Sequence, residues 1–579
     1  MLSTESIKLE INVPMKMRDG TILYADVCRP DKPGKYPAIL TRLPYNKNVM
    51  FPTGSGYMNP HRYARADYAV VIQDVRGTGS SEGDAYFWHQ EYEDGYDSVE
   101  WLATQPWCDG NVGMYGYSYF GYTQLTAAVT QPPHLKAICP SQTYSVPHSF
   151  PFSLRGDKLR LQIHPRWCLM ITNLGLLRSK ADSKEKRELA DKLIYLVDNI
   201  EQQYRFLPIK DAPATKMIDE LGMMPLYADI LAHKDDEEYW KKLGGPLPLE
   251  KVAVPAFHIA GWYDVDTLPG VLETYQQIRE KSGSALARQS QRLLIGPWVH
   301  TADMLNKVGE LDFGMSASGA VVDIAGMHIR WFDYWLKGVD NLIKDEPPVC
   351  IFVMGDNVWR NENEWPLART KYTKYYFHSG GQANSRFGDG ALSTRLPDDE
   401  PFDSYIYDPR NPILTHEMGM GAYNQQEVES RADVLVYTSE PLQTNLEVTG
   451  PVEVKLFAAS SAVDTDFNGK LVDVWPDGKA YNVAEGIIRA GYRELGLVMK
   501  PIKPGKVYEY SISLGATSNV FKVGHRIRAE ISSSNFPKWD RNLNTGHPLG
   551  QDAEIQLAMQ TIYHNWQFPS HIVLPVLTQ

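Results

Sequence analysis

The chain has 579 residues and a mass of 65.5 kDa, too long for a single hydrophobic core, and about three to four domains are expected. Lys and Arg total 58 against 70 Asp and Glu, a net charge of −12. No long basic run offsets that charge, which excludes a nucleic-acid backbone as the partner.

No apolar stretch reaches the ~18 residues that a membrane span needs, and none is predicted. The first twenty residues contain no apolar signal core and read as mature chain. The five cysteines, Cys28, Cys108, Cys139, Cys168 and Cys350, are few and widely spaced, with no CxxC pair. That pattern supports neither a disulfide framework nor a zinc ribbon, and a reduced cytoplasmic setting is expected.

From residue 1 to about 145, short apolar runs alternate with helix-like stretches. Ala38-Ile39-Leu40, Ala69-Val70-Val71-Ile72, Val112-Gly113-Met114-Tyr115 and Lys136-Ala137-Ile138-Cys139 are bounded by Gly, Pro or Asp. Runs this short and apolar suit strands buried on both faces of a parallel sheet. Residues 91–105 and 121–130 read as the helices between them, and the alternation predicts an α/β fold. Residues 146–245 read as a helical insertion. Its stretch 180–206 is charged, with Leu189, Leu193, Leu196, Val197 and Ile200 forming one apolar face. The α/β pattern resumes over 246–350, at Val254–Ala260 and Arg292–Ile295, and closes with a helix over 324–336. Residues 351–579 carry period-two runs at 452–456, 507–514 and 527–531, separated by turns at Pro476-Asp477-Gly478 and Lys503-Pro504-Gly505. This predicts an antiparallel β-sandwich.

The strongest chemical signal is Val112-Gly113-Met114-Tyr115-Gly116-Tyr117-Ser118-Tyr119-Phe120-Gly121. A buried strand runs into Gly-x-Ser and a helix follows, the arrangement a nucleophile elbow needs. Such an elbow exposes the serine and aims the Tyr119 backbone N–H at the reacting oxygen. Gly121 stands one place later than the usual second glycine. A serine nucleophile needs a base and an orienting acid, each at the carboxyl end of a later strand. Asp264 follows the strand 254–260 and His300 follows the strand 292–295, in the required order Ser, Asp, His. The bland alternatives are a helix-capping aspartate and a solvent-facing histidine. His258, inside a strand, reads as a satisfied core histidine.

Further stretches fall into one pattern with these. They are Arg42-Leu43-Pro44-Tyr45, Asp74-Val75-Arg76-Gly77-Thr78-Gly79-Ser80-Ser81-Glu82-Gly83, Trp107-Cys108-Asp109-Gly110-Asn111, Gly261-Trp262-Tyr263-Asp264, Gly296-Pro297-Trp298, Phe332-Asp333-Tyr334-Trp335-Leu336-Lys337-Gly338 and Ser533-Ser534-Asn535-Phe536-Pro537. With the serine elbow they span nearly the whole chain in the order found in the CocE/NonD hydrolases, which the chain resembles. That family includes cocaine esterase, α-amino acid ester hydrolases and X-Pro dipeptidyl peptidases. The resemblance implies an α/β-hydrolase domain with an inserted helical cap, followed by a C-terminal jelly roll. It also implies that the Tyr45 hydroxyl completes an oxyanion hole with the Tyr119 N–H. Residues alone would make Tyr45 a packing residue in a loop.

Two residues after Asp264, where esterases of the family tend to carry an aromatic, this chain has Asp266. The α-amino acid ester hydrolases resemble it in carrying an acid there that holds a substrate ammonium. A buried carboxylate needs a cationic partner. That partner is either a substrate amine, with Asp157 as a second candidate ligand, or a protein cation among Arg155, Lys158 and Arg160. Arg76-Gly77-Thr78-Gly79 lacks the rest of a phosphate loop. Asp464-Thr465-Asp466-Phe467-Asn468-Gly469 lacks the twelfth-position Glu of a calcium loop. Nothing requires a metal or a cofactor.

The expectation is a serine hydrolase that cleaves small-molecule esters or activated amides through an acyl-enzyme. The enzymatic alternative is an X-Pro dipeptidyl-peptidase or α-amino acid ester hydrolase recognising a free α-amino group. An inert α/β domain carrying a sugar-binding jelly roll is the rival from another class. The intact triad argues against it. No nucleic-acid or membrane partner is expected, and self-association stays open.

Overall fold

A computed structural model of the chain describes residues 6–50, 56–146, 158–178, 183–220, 226–416, 419–494 and 498–577. Its N-terminal half is built on a ten-stranded sheet. The strands are β1 (Ile7–Lys16), β2 (Ile22–Pro30), β3 (Tyr36–Leu43), β4 (Ala69–Asp74), β5 (Cys108–Tyr117), β6 (Leu135–Ser141), β7 (Ala256–Gly261), β8 (Gln291–Gly296), β9 (Val349–Val353) and β10 (Val358–Glu362). They lie in the order β1-β2-β4-β3-β5-β6-β7-β8-β9-β10. From β4 to β9 neighbours run parallel, and β1, β2 and β10 add antiparallel edges. Every residue of β3 and β4 is buried, which is why their apolar runs are continuous.

Helices cover both faces. Helix α1 (Glu91–Ala103) and helix α2 (Tyr119–Thr130) follow β4 and β5. The strand expected to start at Val254 starts at Ala256, because Pro255 has no N–H to give a ladder.

Between β6 and β7 lies the helical segment, beginning with α3 (His164–Arg178). The stretch expected as one helix over 180–206 is two, Lys184–Asp198 and Ile200–Arg205, meeting at Asn199. Residues 180–182 lie outside the described residues. Leu193, Leu196 and Ile200 are buried as the apolar face requires, but Val197 is 37% exposed. It sits at the edge of that face, ~40° from Leu193 and ~100° from Leu196. In the acidic run, Asp236 caps the helix Glu237–Lys242 by accepting from the Tyr239 N–H at 3.1 Å.

The C-terminal half is an eleven-stranded, almost wholly antiparallel system. Its long central strand, Leu446–Ser460, pairs with Tyr508–Phe521, Ala558–Tyr563 and His571–Leu577. Alternate residues such as Val452, Val454 and Leu456 enter a core with Phe467, Leu471, Ile512 and Ile531. A separate cluster containing Ala260, Trp262, Tyr263, Met354, Ala516 and Val520 crosses from the first half to the second. The sandwich thereby packs directly on the residues that precede Asp264.

Candidate active site

Ser118 stands between the end of β5 and the start of α2, with φ 58° and ψ −127°. A non-glycine residue with positive φ is strained, and such strain clusters at functional sites. The flanking glycines follow from the close approach of neighbours. A Cβ on Gly116 would lie 2.6 Å from the Cβ of Phe120, and one on Gly121 would lie 2.6 Å from the Cβ of Thr143. The second glycine is therefore needed at 121, where α2 meets the loop after β6. The Ser118 N–H donates to the carbonyls of Ser141 (2.9 Å) and Gln142 (3.1 Å). As the first residue of α2, Tyr119 has a backbone N–H with no intrahelical acceptor.

The Tyr119 side chain is fully engaged beneath it. Its hydroxyl donates to Glu91 Oε1 at 3.1 Å and accepts from the Trp88 N–H at 2.9 Å. Glu91 is in turn paired with Arg42 at 2.9 Å, both side chains being completely buried. Burial pushes the Glu91 pKa up, and the Arg42 guanidinium opposes that rise. Arg42 lies in β3, so this pair also anchors the Arg42-Leu43-Pro44-Tyr45 turn. The Tyr45 hydroxyl accepts from the Trp167 Nε1–H at 2.9 Å. Burial raises the phenol's pKa, while contacts from Trp167 and Ser118 pull it the other way. Tyr45 therefore stays protonated.

Asp264 follows β7 and is fully buried. It accepts from His300 Nδ1 at 2.9 Å, from the Thr267 N–H at 3.3 Å and from the Thr267 hydroxyl. His300 is about one-quarter exposed. Its ring lies 5.9 Å from that of Tyr117, which places it beside the elbow. Burial disfavours the charged ring, but the Asp264 charge and hydrogen bond outweigh it, with a further contribution from Asp266. The His300 pKa is thereby raised above 6.5.

The chain itself supplies the partner of Asp266. Its carboxylate forms an ion pair with Arg160, whose Nη2 also donates to the Asp266 carbonyl at 2.9 Å. Asp266 is thus paired with a protein cation, one of the two kinds of partner expected for it. Asp157 lies outside the described residues, as does Arg155. His258 is a core histidine whose Nε2 meets Gln291 Oε1 at 2.8 Å. Asp464 and Asp466 belong to a buried network with Arg489 and Lys158. Among the described residues, His547, Asp552 and Glu554 bring three ligand atoms within 4.8 Å of one another. Two of the three are exposed, and a metal there has no further support.

Three contributors escaped the sequence. Thr267 holds the far side of Asp264. Trp167 reaches Tyr45 from the helical segment. Gln142, at φ 44°, touches all three loops of the site. Its carbonyl accepts from the Ser118 N–H, its N–H donates to the Ile259 carbonyl in β7 at 2.8 Å, and its Nε2 donates to the Val299 carbonyl at 2.7 Å. No motif marks these residues, since each acts through contacts distant in sequence. Positive φ at a glutamine is visible only in the folded chain.

Comparison with known proteins adds to this geometry. The X-Pro dipeptidyl-peptidase (S15 family) pattern matches residues 19–302, and the X-Pro dipeptidyl-peptidase C-terminal non-catalytic domain matches residues 341–573. The chain is 38% identical over 579 residues to cocaine esterase from Rhodococcus sp. (strain MB1 Bresler), covering 98% of each chain. It belongs to the CocE/NonD family of serine hydrolases. Among CocE/NonD structures, an α-amino acid ester hydrolase shares the fold with a TM-score of 0.81 at 24% identity, over 100% of this chain and 98% of that one. An aminopeptidase from a marine sediment archaeon, Thaumarchaeota archaeon, aligns with a TM-score of 0.84 at 25% identity, over 99% and 97%. The family and the two-part architecture make the chain a serine hydrolase with an α/β-hydrolase domain and a β-sandwich. Its relatives support ester cleavage.

Proposed function

We propose that this enzyme hydrolyses small-molecule esters with uncharged acyl groups, using Ser118 as nucleophile, His300 as general base and Asp264 as orienting acid. Ser118 attacks the acyl carbon as His300 takes its proton. The C–O bond to the leaving group breaks as His300 returns that proton to the departing oxygen. Water then repeats the sequence on the acyl-enzyme and regenerates the serine. The Tyr45 hydroxyl and the Tyr119 N–H donate to the oxygen that becomes negative in each tetrahedral intermediate. Asp264 fixes the imidazole with Nδ1 protonated, which leaves the Nε2 lone pair available as the base.

The observation that carries the acyl preference is the Arg160–Asp266 pair. A free α-amine needs an unpaired carboxylate, and Asp266, the first of the two expected to provide it, is already paired with Arg160. The aminopeptidase reading, favoured by the S15 match and by the Thaumarchaeota structure, requires such a site. Butyryl, benzoyl, alanyl and N-acetylalanyl p-nitrophenyl esters, together with Xaa-Pro anilides, separate the readings. The expected result is hydrolysis of the neutral esters, with alanyl and N-acetylalanyl esters within about threefold of each other and the anilides inert. A large preference for alanyl esters, or rapid anilide cleavage, would favour the amine-recognising reading.

A cytoplasmic location is part of the same proposal. The five cysteines are free, and four of them are buried. No helix among the described residues is long and apolar enough to cross a membrane.

A further inference from the structure

Trp167 touches both halves of the proposed oxyanion hole. Its indole N–H donates to the Tyr45 oxygen at 2.9 Å. Its ring lies nearly parallel to that of Tyr119, the residue whose backbone N–H is the other donor, with centroids 6.3 Å apart at 25°. On the other side it stacks with Trp88 (6.4 Å, 22°), and Phe87 meets it edge-on at 5.5 Å. Trp88 in turn gives its backbone N–H to the Tyr119 hydroxyl. Trp167 is 8% exposed and belongs to α3, whereas Tyr45, Trp88 and Tyr119 belong to the hydrolase domain. The inserted helical segment therefore reaches the floor of the site through the Trp167 side chain.

A phenol has one proton and an oxygen that can accept. In water that proton samples several directions. With the acceptor side occupied by an indole N–H, which can only donate, the tyrosine proton must point elsewhere. Ser118 also lies within hydrogen-bonding reach of that hydroxyl. An accepted hydrogen bond also polarises the O–H and makes it a stronger donor to a developing oxyanion.

We infer that Trp167 is a positioning residue that fixes the direction in which Tyr45 donates, so that docking of α3 completes the oxyanion hole. This rests on the assignment of Tyr45 as an oxyanion donor, and the test separates the two.

The experiment is a double-mutant cycle with Trp167→Phe, Tyr45→Phe and both together, read as the single-turnover acylation rate with a p-nitrophenyl ester. Phenylalanine keeps an aromatic face in the stack and removes the N–H. One neutral hydrogen bond corresponds to about a 2- to 13-fold effect. The expected outcome is a loss of about that size in Trp167→Phe with substrate affinity nearly unchanged. In the Tyr45→Phe background, the same substitution should add less than about twofold, because its target is gone. A double variant showing the product of the two losses would overturn the inference, since a packing role does not depend on the Tyr45 hydroxyl. A Trp167→Phe enzyme at the wild-type rate would also overturn it. If Trp167→Phe does not fold, 3-benzothienylalanine at 167 keeps the bicyclic shape without the N–H, and the same two criteria apply. Wild-type acylation in Tyr45→Phe would overturn the oxyanion assignment itself, and this inference with it.

Discussion

Gln142 makes a prediction that depends on the fold rather than on any motif. Gln142→Met keeps the length of the side chain and removes the Nε2 donor to the Val299 carbonyl, together with a buried Oε1 that has no hydrogen-bond partner. That carbonyl belongs to the residue before His300, in a loop whose other anchors include the Tyr263 N–H to Trp298 carbonyl bond at 3.1 Å and the Trp298 indole on the Ala317 carbonyl at 2.7 Å. A neutral hydrogen bond holds such a loop by about 0.5–1.5 kcal/mol. Losing it reduces the population of correctly placed His300 by roughly 2- to 13-fold. Catalysis is steep in geometry, since an error of ~1 Å costs as much as 10²-fold. The expected loss in kcat/KM is therefore at least about 2- to 13-fold, with KM little changed. Gln142→Gly provides the control. It removes the same donor but also relieves a positive φ whose cost is roughly 1–2 kcal/mol, so its thermal stability should stay near that of wild type while activity falls. The assay is steady-state hydrolysis of a p-nitrophenyl ester, with thermal denaturation in parallel. A Gln142→Met enzyme within twofold of wild type would refute the bracing role. So would a loss of activity explained entirely by unfolding.

The remaining expectations concern the proposed triad. Asp264→Asn should lower kcat by about 10⁴-fold, because the amide favours the wrong imidazole tautomer; a loss below tenfold would remove Asp264 from the mechanism. The kcat/KM profile should lose activity as pH falls through a value above 6.5, since catalysis needs the neutral ring and the His300 pKa is raised. Asp264, Asp266 and Arg160 are the charges that set it, so Asp266→Asn should move that acid limb down. Arg160→Met, which leaves the Asp266 charge uncompensated, should move it up. Both variants sharing the wild-type limb would show that the pair does not influence the ring.

The proposed triad stood out in the sequence because its parts obey local rules. Ser118 announces itself through Gly116 and Gly121, which sterics demand. Asp264 and His300 announce themselves by following buried strands in order. What surrounds them was not legible. Arg160 was one of three candidate cations for Asp266, and only the path of the chain decides among them. Thr267, Gln142 and Trp167 have ordinary sequence surroundings. Their roles arise where β6, the loop after β7 and α3 converge, up to 157 residues apart in the case of Gln142 and Val299. The same limit explains Val197. Spacings of three and four allowed it onto the apolar face, and the break at Asn199 fixed which residues turn inward.

The central claim is that Ser118 carries a covalent acyl intermediate. Intact-protein mass spectrometry after rapid acid quenching, during turnover of an ester with a slow deacylation step, tests it directly. The account predicts one added acyl mass, mapped by proteolysis to Ser118, absent in Ser118→Ala together with all but ~10⁻⁶ of the turnover. An acyl group mapped to another residue, with turnover persisting in Ser118→Ala, would contradict it.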